Sequence, residues 1–293
     1  MTNRPEDITL DPLKKDFIKI LTDFGFKRVF GTRERSDILK RFLNALFEGE
    51  FRILSIEYRD KEILPFHANG KKVMFDIYCT TDSGKHFIIE MQQEESENFP
   101  DRILFYVCNA IVHQGVKGIE YDLDPVYCVV LTNFNMAGRQ VRLLKEMLIM
   151  ERHTHEVYTE NVKLIFIALP EVPAEWEDCD TELLRLLYII KNMEDMTKKS
   201  KPYICGDYDE IFDAASTGSL TCEEAVSYSQ SYFKECDNQS AVRFAEKRGR
   251  AEGRLEGAIV KLKQVVENLR SKGYDNLSIA SLLDEPTDLI ASL

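Results

Sequence analysis

Two acidic residues lie among apolar side chains in residues 73–93, which read VMFDIYCTTDSGKHFIIEMQQ. Asp76 is in the first apolar run, and Glu90 is in the second, with Gln92 two residues later. A carboxylate among apolar side chains is costly unless it is paired, hydrogen-bonded or bound to a metal. Carboxylate oxygens suit Mg²⁺ or Mn²⁺. The pattern predicts a small acidic metal site, and the alternative is a hairpin whose two carboxylates are in water.

The two apolar runs flank a polar turn and are typical of a β-hairpin. A short loop that pairs Thr80 with His86 places Asp76 opposite Glu90 when the residues are counted back along both strands. Opposed side chains on one face have Cβ atoms about 4.5–5.5 Å apart. A divalent cation between two such carboxylates converts their repulsion into attraction. Because side chains alternate between faces, Gln92 is expected on the same face as Glu90.

A polar stripe follows the hairpin on a predicted helix. Arg102, Tyr106, Asn109 and His113 occur at helical spacing and share one face. A guanidinium group matches the geometry of phosphate oxygens. We therefore expect Arg102 and Tyr106 to contact a phosphate-bearing substrate beside the carboxylates, and the alternative is an ordinary half-buried helix face.

The elements that must position these residues form an alternating series. Periodicity predicts helices over residues 11–30, 36–47, 94–116 and 139–152, and strands over residues 51–63, 125–132 and 162–169, with the hairpin between them. Because helices and strands alternate, this order predicts an α/β core.

The remainder of the chain is predicted to be helical. We expect an α/β core over residues 11–170, a helical extension over 171–240, and a long charged helix with a short helical tail over 241–293. Thr221 opens one helix with the pattern of a capping box. Apolar residues in 255–269 form a short heptad-like seam that could join two chains as a homodimer, although packing on the same domain is the commoner use of such a stripe.

Composition limits the class of protein. The chain has 293 residues, of which 44% are hydrophobic and 30% charged, as in globular proteins with a sizeable core. No apolar run reaches the roughly 18 residues of a membrane span, and no secretory signal precedes the core. The seven scattered cysteines are typical of reduced thiols, so we expect a cytoplasmic protein without membrane contact.

Charge is distributed unevenly along the chain. The formal net charge of −12 argues against a protein that coats nucleic acid nonspecifically. Residues 11–75, however, contain 14 Lys or Arg against 10 Asp or Glu. This local excess suits a phosphate-bearing substrate, while a solvated helix face of mixed charge is the alternative.

These residues together resemble the PD-(D/E)xK nuclease superfamily and, more narrowly, the Rpn-type recombination-promoting nucleases of the transposase family. The resemblance is carried by Asp76, Glu90-Met91-Gln92, Arg102 with Tyr106, Thr22 to Lys27 with Phe30-Gly31, and Leu43 to Leu46. It implies a restriction-endonuclease-like core, in which helices flank a mixed β-sheet, and a helical C-terminal region.

The resemblance also implies DNA cleavage that depends on Mg²⁺ or Mn²⁺. Asp76 and Glu90 would be the catalytic metal ligands, and Gln92 would occupy the position that is lysine in many members of the superfamily. We expect Lys27 to contact phosphate with Arg102 and Tyr106, and Asp23 is a candidate accessory acid. The alternative is a weakly active or inactive protein on the same fold that binds nucleic acid or supports assembly, because Gln92 cannot act as a lysine and the net charge is acidic.

Overall fold

The chain forms two compact units, one ending at Lys234 and the other beginning at Glu235. The first unit contains the β-sheet and every residue predicted for the site. The division of the chain into three parts remains a prediction. The computed structural model describes residues 11–63, 71–115, 122–136 and 142–293.

A six-stranded mixed sheet is the centre of the first unit. Its strand order is β1-β4-β5-β6-β8-β7, in which β5, β6 and β8 run parallel and the other neighbours are antiparallel. A separate antiparallel pair is formed by β2 and β3. The mixed sheet confirms the predicted fold class. The strands are β1 (Ile56–Tyr58), β2 (Glu62–Ile63), β3 (Val73–Met74), β4 (Ile77–Thr81), β5 (His86–Gln92), β6 (Val126–Thr132), β7 (Leu144–Met150) and β8 (Val157–Ala168).

Helices cover both faces of this sheet and continue beyond it. They are α1 (Asp23–Phe30), α2 (Ser36–Leu46), α3 (Phe99–Val112), α4 (Glu182–Asn192), α5 (Lys201–Ile204), α6 (Asp209–Ala215), α7 (Cys222–Ser271), α8 (Asn276–Leu283) and α9 (Thr287–Ser292). Buried side chains of α1, α2, α4 and α6 form one apolar layer with the sheet, and α3 forms the layer on the other face.

Alternation along β5 decides which layer the site faces. Ile89 packs in the layer with α1, whereas Ile88 packs in the layer with α3. Because successive side chains of a strand point to opposite faces, Glu90 shares the α3 side with Ile88. The sheet therefore directs this carboxylate toward the helix that carries the predicted polar stripe.

The hairpin of β4 and β5 has the register expected from the sequence. Thr80 lies opposite His86, and the pairing continues to Ile77 opposite Ile89, where it ends. Asp76, the next residue, lies in a bend outside β4. The two strands separate at this point, and the separation creates room for two carboxylate side chains.

The prediction of a helix over residues 139–152 is wrong. Residues 139–141 lie outside the described residues, and Leu144–Met150 form the strand β7. This strand pairs with β8 from Leu144 opposite Ile167 to Met150 opposite Val157, with two register shifts. The backbone groups of β7 form hydrogen bonds with those at the edge of the long strand β8. This tertiary pairing outweighs the local helical spacing of the apolar residues.

The first predicted helix is also shorter than expected, and the strand predicted over residues 51–63 is reduced to β1 and β2. Helix α1 begins at Asp23 rather than at Asp11, because the side chain of Thr22 caps it. Before this cap the chain is fixed by a backbone hydrogen bond of 2.8 Å from Ile18 to Ala215.

The capping box predicted at the start of α7 is confirmed. The Thr221 N–H donates to Glu224 Oε2 at 2.9 Å, and the Glu224 N–H donates to Thr221 Oγ1 at 3.2 Å. Two N–H groups that would otherwise lack partners at the helix start are satisfied in this way.

Thr221→Ala is expected to lower the free energy of unfolding by about 1 kcal/mol, because it removes one half of this box. The matched control is Ser227, an exposed residue inside the same helix whose hydroxyl donates to the Glu223 carbonyl oxygen. Ser227→Ala is expected to be neutral or slightly stabilising, because alanine has the higher helix propensity. Urea unfolding of both variants measures the difference, and equal stabilities would show that water replaces the cap.

The second unit has a small core of its own. Val266 of α7 packs with Ile279 of α8 and Ile290 of α9. The C-terminal half of the heptad-like seam is therefore used within the chain, whereas Leu255 and Ile259 are exposed. Dimerisation through this helix remains a prediction. Among the residues that the structure describes, none of the helices combines the length and apolar character that a membrane span requires.

Candidate active site

The carboxylates of Asp76 and Glu90 each bind the backbone of the opposite segment, at the point where the pairing of β4 with β5 ends. The Asp76 N–H donates to Glu90 Oε1 at 3.1 Å, and the Met91 N–H donates to Asp76 Oδ2 at 3.0 Å. Each carboxylate thus accepts a backbone N–H from the opposite segment. These two hydrogen bonds take the place of the ladder pairing and fix both side chains next to each other.

Burial makes this pair of carboxylates costly to ionise. Glu90 is only 7% exposed. Burial first, and then the charge of Asp76, raise the pKa of Glu90 to about 8. Burial also raises the pKa of Asp76, although the hydrogen bond from Met91 and the charge of Lys27 oppose this shift. Without a cation, the pair therefore retains a proton at neutral pH.

Two lysines flank Asp76, and the sequence predicted only one of them. Lys27 Nζ lies 3.8 Å from Asp76 Oδ1 and also forms an ion pair with Asp23. Lys61, just before β2, is close enough for its charge to lower the pKa of Asp76. The predicted accessory acid Asp23 is thus joined to the site through Lys27. The sequence predicted a strand over residues 51–63, which gave Lys61 no distinct role, whereas the structure places Lys61 in the irregular connection between β1 and β2.

Gln92 is occupied at both ends of its side-chain amide. Its Oε1 accepts a hydrogen bond from Arg102 Nη2, and its Nε2 donates to the Glu94 carbonyl oxygen at 2.9 Å. The structure therefore brings Gln92 and Arg102 together. In this arrangement the amide oxygen of Gln92 holds one end of the guanidinium group of Arg102.

The polar stripe on α3 divides into two parts. Tyr106 packs edge-on against Phe75, and burial, followed by the charge of Glu90, raises the pKa of its hydroxyl. Arg102 and Tyr106 therefore lie near the carboxylates. The half-buried Asn109 and the exposed His113, by contrast, form hydrogen bonds with backbone oxygens of α3. Only the N-terminal half of the stripe belongs to the site.

The donor set fits a hard divalent cation in part. Asp76 and Glu90 offer oxygen ligands, which Mg²⁺ and Mn²⁺ prefer. Within the described ranges, no group of three or more His, Cys, Asp or Glu side chains is placed to bind a metal. Asp76 and Glu90 would hold such a cation with only two protein side chains, and water and substrate would supply its other ligands.

The mixed sheet with its flanking helices defines a protein of the α/β class, with an acidic candidate site where the hairpin opens. A family model described as a PD-(D/E)XK nuclease family transposase matches residues 20–245. The chain belongs to this family, and the resemblance found in the sequence is confirmed. No curated protein and no solved structure matches the chain.

Proposed function

We propose that this protein is a DNA endonuclease that depends on a divalent cation, Mg²⁺ or Mn²⁺, held by Asp76 and Glu90. The supporting observation is the reciprocal hydrogen bonding of these two buried carboxylates with the opposite backbone segments. Two acidic groups kept together at the cost of raised pKa values are expected where a positive charge completes the site. Membership of a nuclease family supports DNA as the substrate.

Each residue of the site has a distinct part in this proposal. A bound cation would supply an activated water and stabilise negative charge on the phosphate. Asp76 and Glu90 hold it, while Lys27 and Arg102 contact phosphate oxygens. Gln92 orients Arg102 through the hydrogen bond to its guanidinium group.

Asp76→Asn is expected to lower DNA cleavage about a thousandfold, a typical loss for a group that stabilises charge in a transition state. Nicking of plasmid DNA with Mg²⁺ and with Mn²⁺ measures the loss. Asp101→Asn is the matched control, because Asp101 is an exposed acid in the first turn of α3. Equal cleavage by wild type and Asp76→Asn would contradict the proposal.

A second function is favoured by one observation. Gln92, two residues after Glu90, stands where many members of the superfamily have lysine, and both ends of its amide are already engaged by Arg102 and the Glu94 carbonyl oxygen. A protein of this fold that binds DNA without cutting it would fit this arrangement. Calorimetry with Mn²⁺ separates the two functions, since the nuclease requires cation binding that Asp76→Asn abolishes.

A further inference from the structure

A cleft of about 400 Å³ lies in the first unit between α1, the connection before β2 and the start of α7, and Lys27, which lines it, has its Nζ 3.8 Å from Asp76 Oδ1. Lys27, Lys61 and Arg35 line it. Two acids also line it, but each is already paired, Asp23 with Lys27 and Glu224 with Arg28. The cleft therefore has an excess of positive charge.

Lys61 is a cation of this cleft that lacks an ion-pair partner. No carboxylate lies within ion-pair distance of its Nζ among the described residues. Burial, and then the charge of the neighbouring Lys27, lower the pKa of Lys61, although the charges of Asp76 and Asp23 oppose this shift. Two neighbouring ammonium groups repel each other, and an anion between them would remove this repulsion.

Thr32 also lines this cleft, and its hydroxyl group lacks a hydrogen-bond partner among the described residues. Its Oγ1 is buried without a hydrogen-bond partner in the described structure. It precedes a short 3₁₀ helix, but its side chain makes no capping hydrogen bond there. A buried hydroxyl without a partner is destabilising, so its persistence calls for a ligand that accepts its hydrogen bond.

Gly31 keeps the space next to Lys61 open. A Cβ atom at this position would lie 3.3 Å from Lys61 Nζ and only 2.7 Å from the Lys27 carbonyl oxygen. Any side chain there would displace the ammonium group or the helix backbone. Glycine thus leaves Lys61 and the adjacent Thr32 able to reach one ligand in the cleft.

We propose that Lys61, Thr32 and Lys27 form a phosphate subsite that holds a DNA phosphodiester next to Asp76. This inference rests on the proposed nuclease function and extends it to a specific contact with the DNA backbone. The phosphate oxygens accept hydrogen bonds from both ammonium groups and from the Thr32 hydroxyl. Lys61 thereby acts as a positioning residue that sets the DNA backbone against the carboxylate pair.

Binding without cleavage tests the subsite. In EDTA, affinity for a fluorescein-labelled 20-base-pair duplex is measured between 50 and 200 mM salt, and inorganic phosphate is titrated against thermal unfolding at constant ionic strength. Lys61→Gln is expected to reduce the salt slope by about 0.9, the value for one lost phosphate contact. It is also expected to weaken phosphate binding about tenfold.

Thr32→Val separates a ligand-binding hydroxyl from one that is merely buried. Removing the unpartnered oxygen is expected to raise the melting temperature of the free protein, yet to weaken phosphate binding severalfold. Lys85→Gln, at the turn end of the hairpin of β4 and β5, is the matched control and is expected to bind as wild type does.

The outcomes distinguish this subsite from the nuclease function. Unchanged slopes and unchanged phosphate binding in Lys61→Gln and Thr32→Val would overturn the subsite, even if wild type cleaves DNA. Weaker phosphate binding with an unchanged DNA slope would overturn the assignment to DNA. A Lys61→Gln variant with weaker phosphate binding and a smaller salt slope of DNA binding supports the subsite. A wild type that cleaves no DNA with any divalent cation would refute only the nuclease function.

Discussion

Glu90→Gln is expected to lower DNA cleavage about a thousandfold and, at the same time, to stabilise the cation-free protein above pH 7. The first effect follows from the loss of a charged ligand in the carboxylate pair. The second effect follows because a glutamine has the shape of the protonated glutamic acid and still offers an oxygen to the Asp76 N–H. Replacing a residue that lowers stability but is needed for catalysis is expected to lower DNA cleavage and to raise the free energy of unfolding.

The sign of the pH dependence follows from the raised pKa of Glu90. Between the ordinary value of 4.5 and the folded value of about 8, the folded protein holds a proton that the unfolded chain has released. The free energy of unfolding therefore falls as pH rises through this range, by at most about 1.4 kcal/mol per pH unit. The raised pKa of Asp76 acts in the same direction.

Urea unfolding in EDTA at pH 5.5 and pH 8.5 measures this effect. Wild type is expected to lose a few kcal/mol between the two pH values, whereas Glu90→Gln loses clearly less. The control is Glu57→Gln, which changes an exposed glutamate of β1 and should follow wild type. A Glu90→Gln variant with the same pH dependence as wild type would show that Glu90 is ionised in the cation-free protein.

Addition of a divalent cation should reverse the order of stability of wild type and Glu90→Gln. A ligand that binds only the folded protein stabilises it in proportion to the logarithm of its concentration above Kd. Mn²⁺ should therefore raise the unfolding midpoint of wild type, more strongly at pH 8.5 than at pH 5.5, because cation binding competes with the shared proton. No such rise is expected for Glu90→Gln.

The hairpin could be predicted from the sequence because its signals are local. Apolar runs of matched length and a turn fix the pairing of Thr80 with His86, and the structure has this register. Counting residues back from this pair along both strands places Asp76 opposite Glu90, at the end of the hairpin away from its turn. Their reciprocal hydrogen bonds with the backbone could not be foreseen, since they require the strands to separate after Ile77.

The errors arose where distant parts of the chain decide local structure. Residues 144–150 pair with β8 and become a strand, although their spacing also suits a helix. Lys61 lies in the irregular connection between β1 and β2, and tertiary packing places it in one cleft with residues of α1. The contact between Gln92 and Arg102 is likewise tertiary, because the fold presents the guanidinium group to the amide oxygen.

Arg28→Ala is expected to destabilise the first unit by about 3 kcal/mol, although the sequence gives Arg28 no special pattern. Arg28 is 6% exposed and lies on α1 directly after Lys27. Its Nε donates to the Ala214 carbonyl oxygen at 2.9 Å, its Nη2 to Ser219 Oγ at 3.1 Å, and its Nη1 to Glu224. The guanidinium group therefore ties α1 to the end of α6, to the segment that follows it and to the start of α7.

Removal of this side chain leaves several polar groups without their partner. An unpaired buried carbonyl costs about 1–3 kcal/mol, and a carboxylate that loses its ion pair adds to this. Arg28→Lys should recover less than half of the loss, because one ammonium group cannot reach three acceptors in the fork geometry of arginine. Arg33→Ala, which removes an exposed arginine after α1, should change stability by less than about 0.5 kcal/mol.

Urea unfolding followed by circular dichroism measures these differences, and plasmid nicking shows whether they reach the site. Helix α1 carries Lys27 and Asp23. Loosening this helix should therefore displace the Lys27 ammonium group, whose Nζ lies 3.8 Å from Asp76 Oδ1. Arg28→Ala is therefore expected to lose cleavage at temperatures where the protein is still folded. A loss of stability below about 1 kcal/mol would mean that water replaces the guanidinium group and that other contacts hold α1 against the sheet.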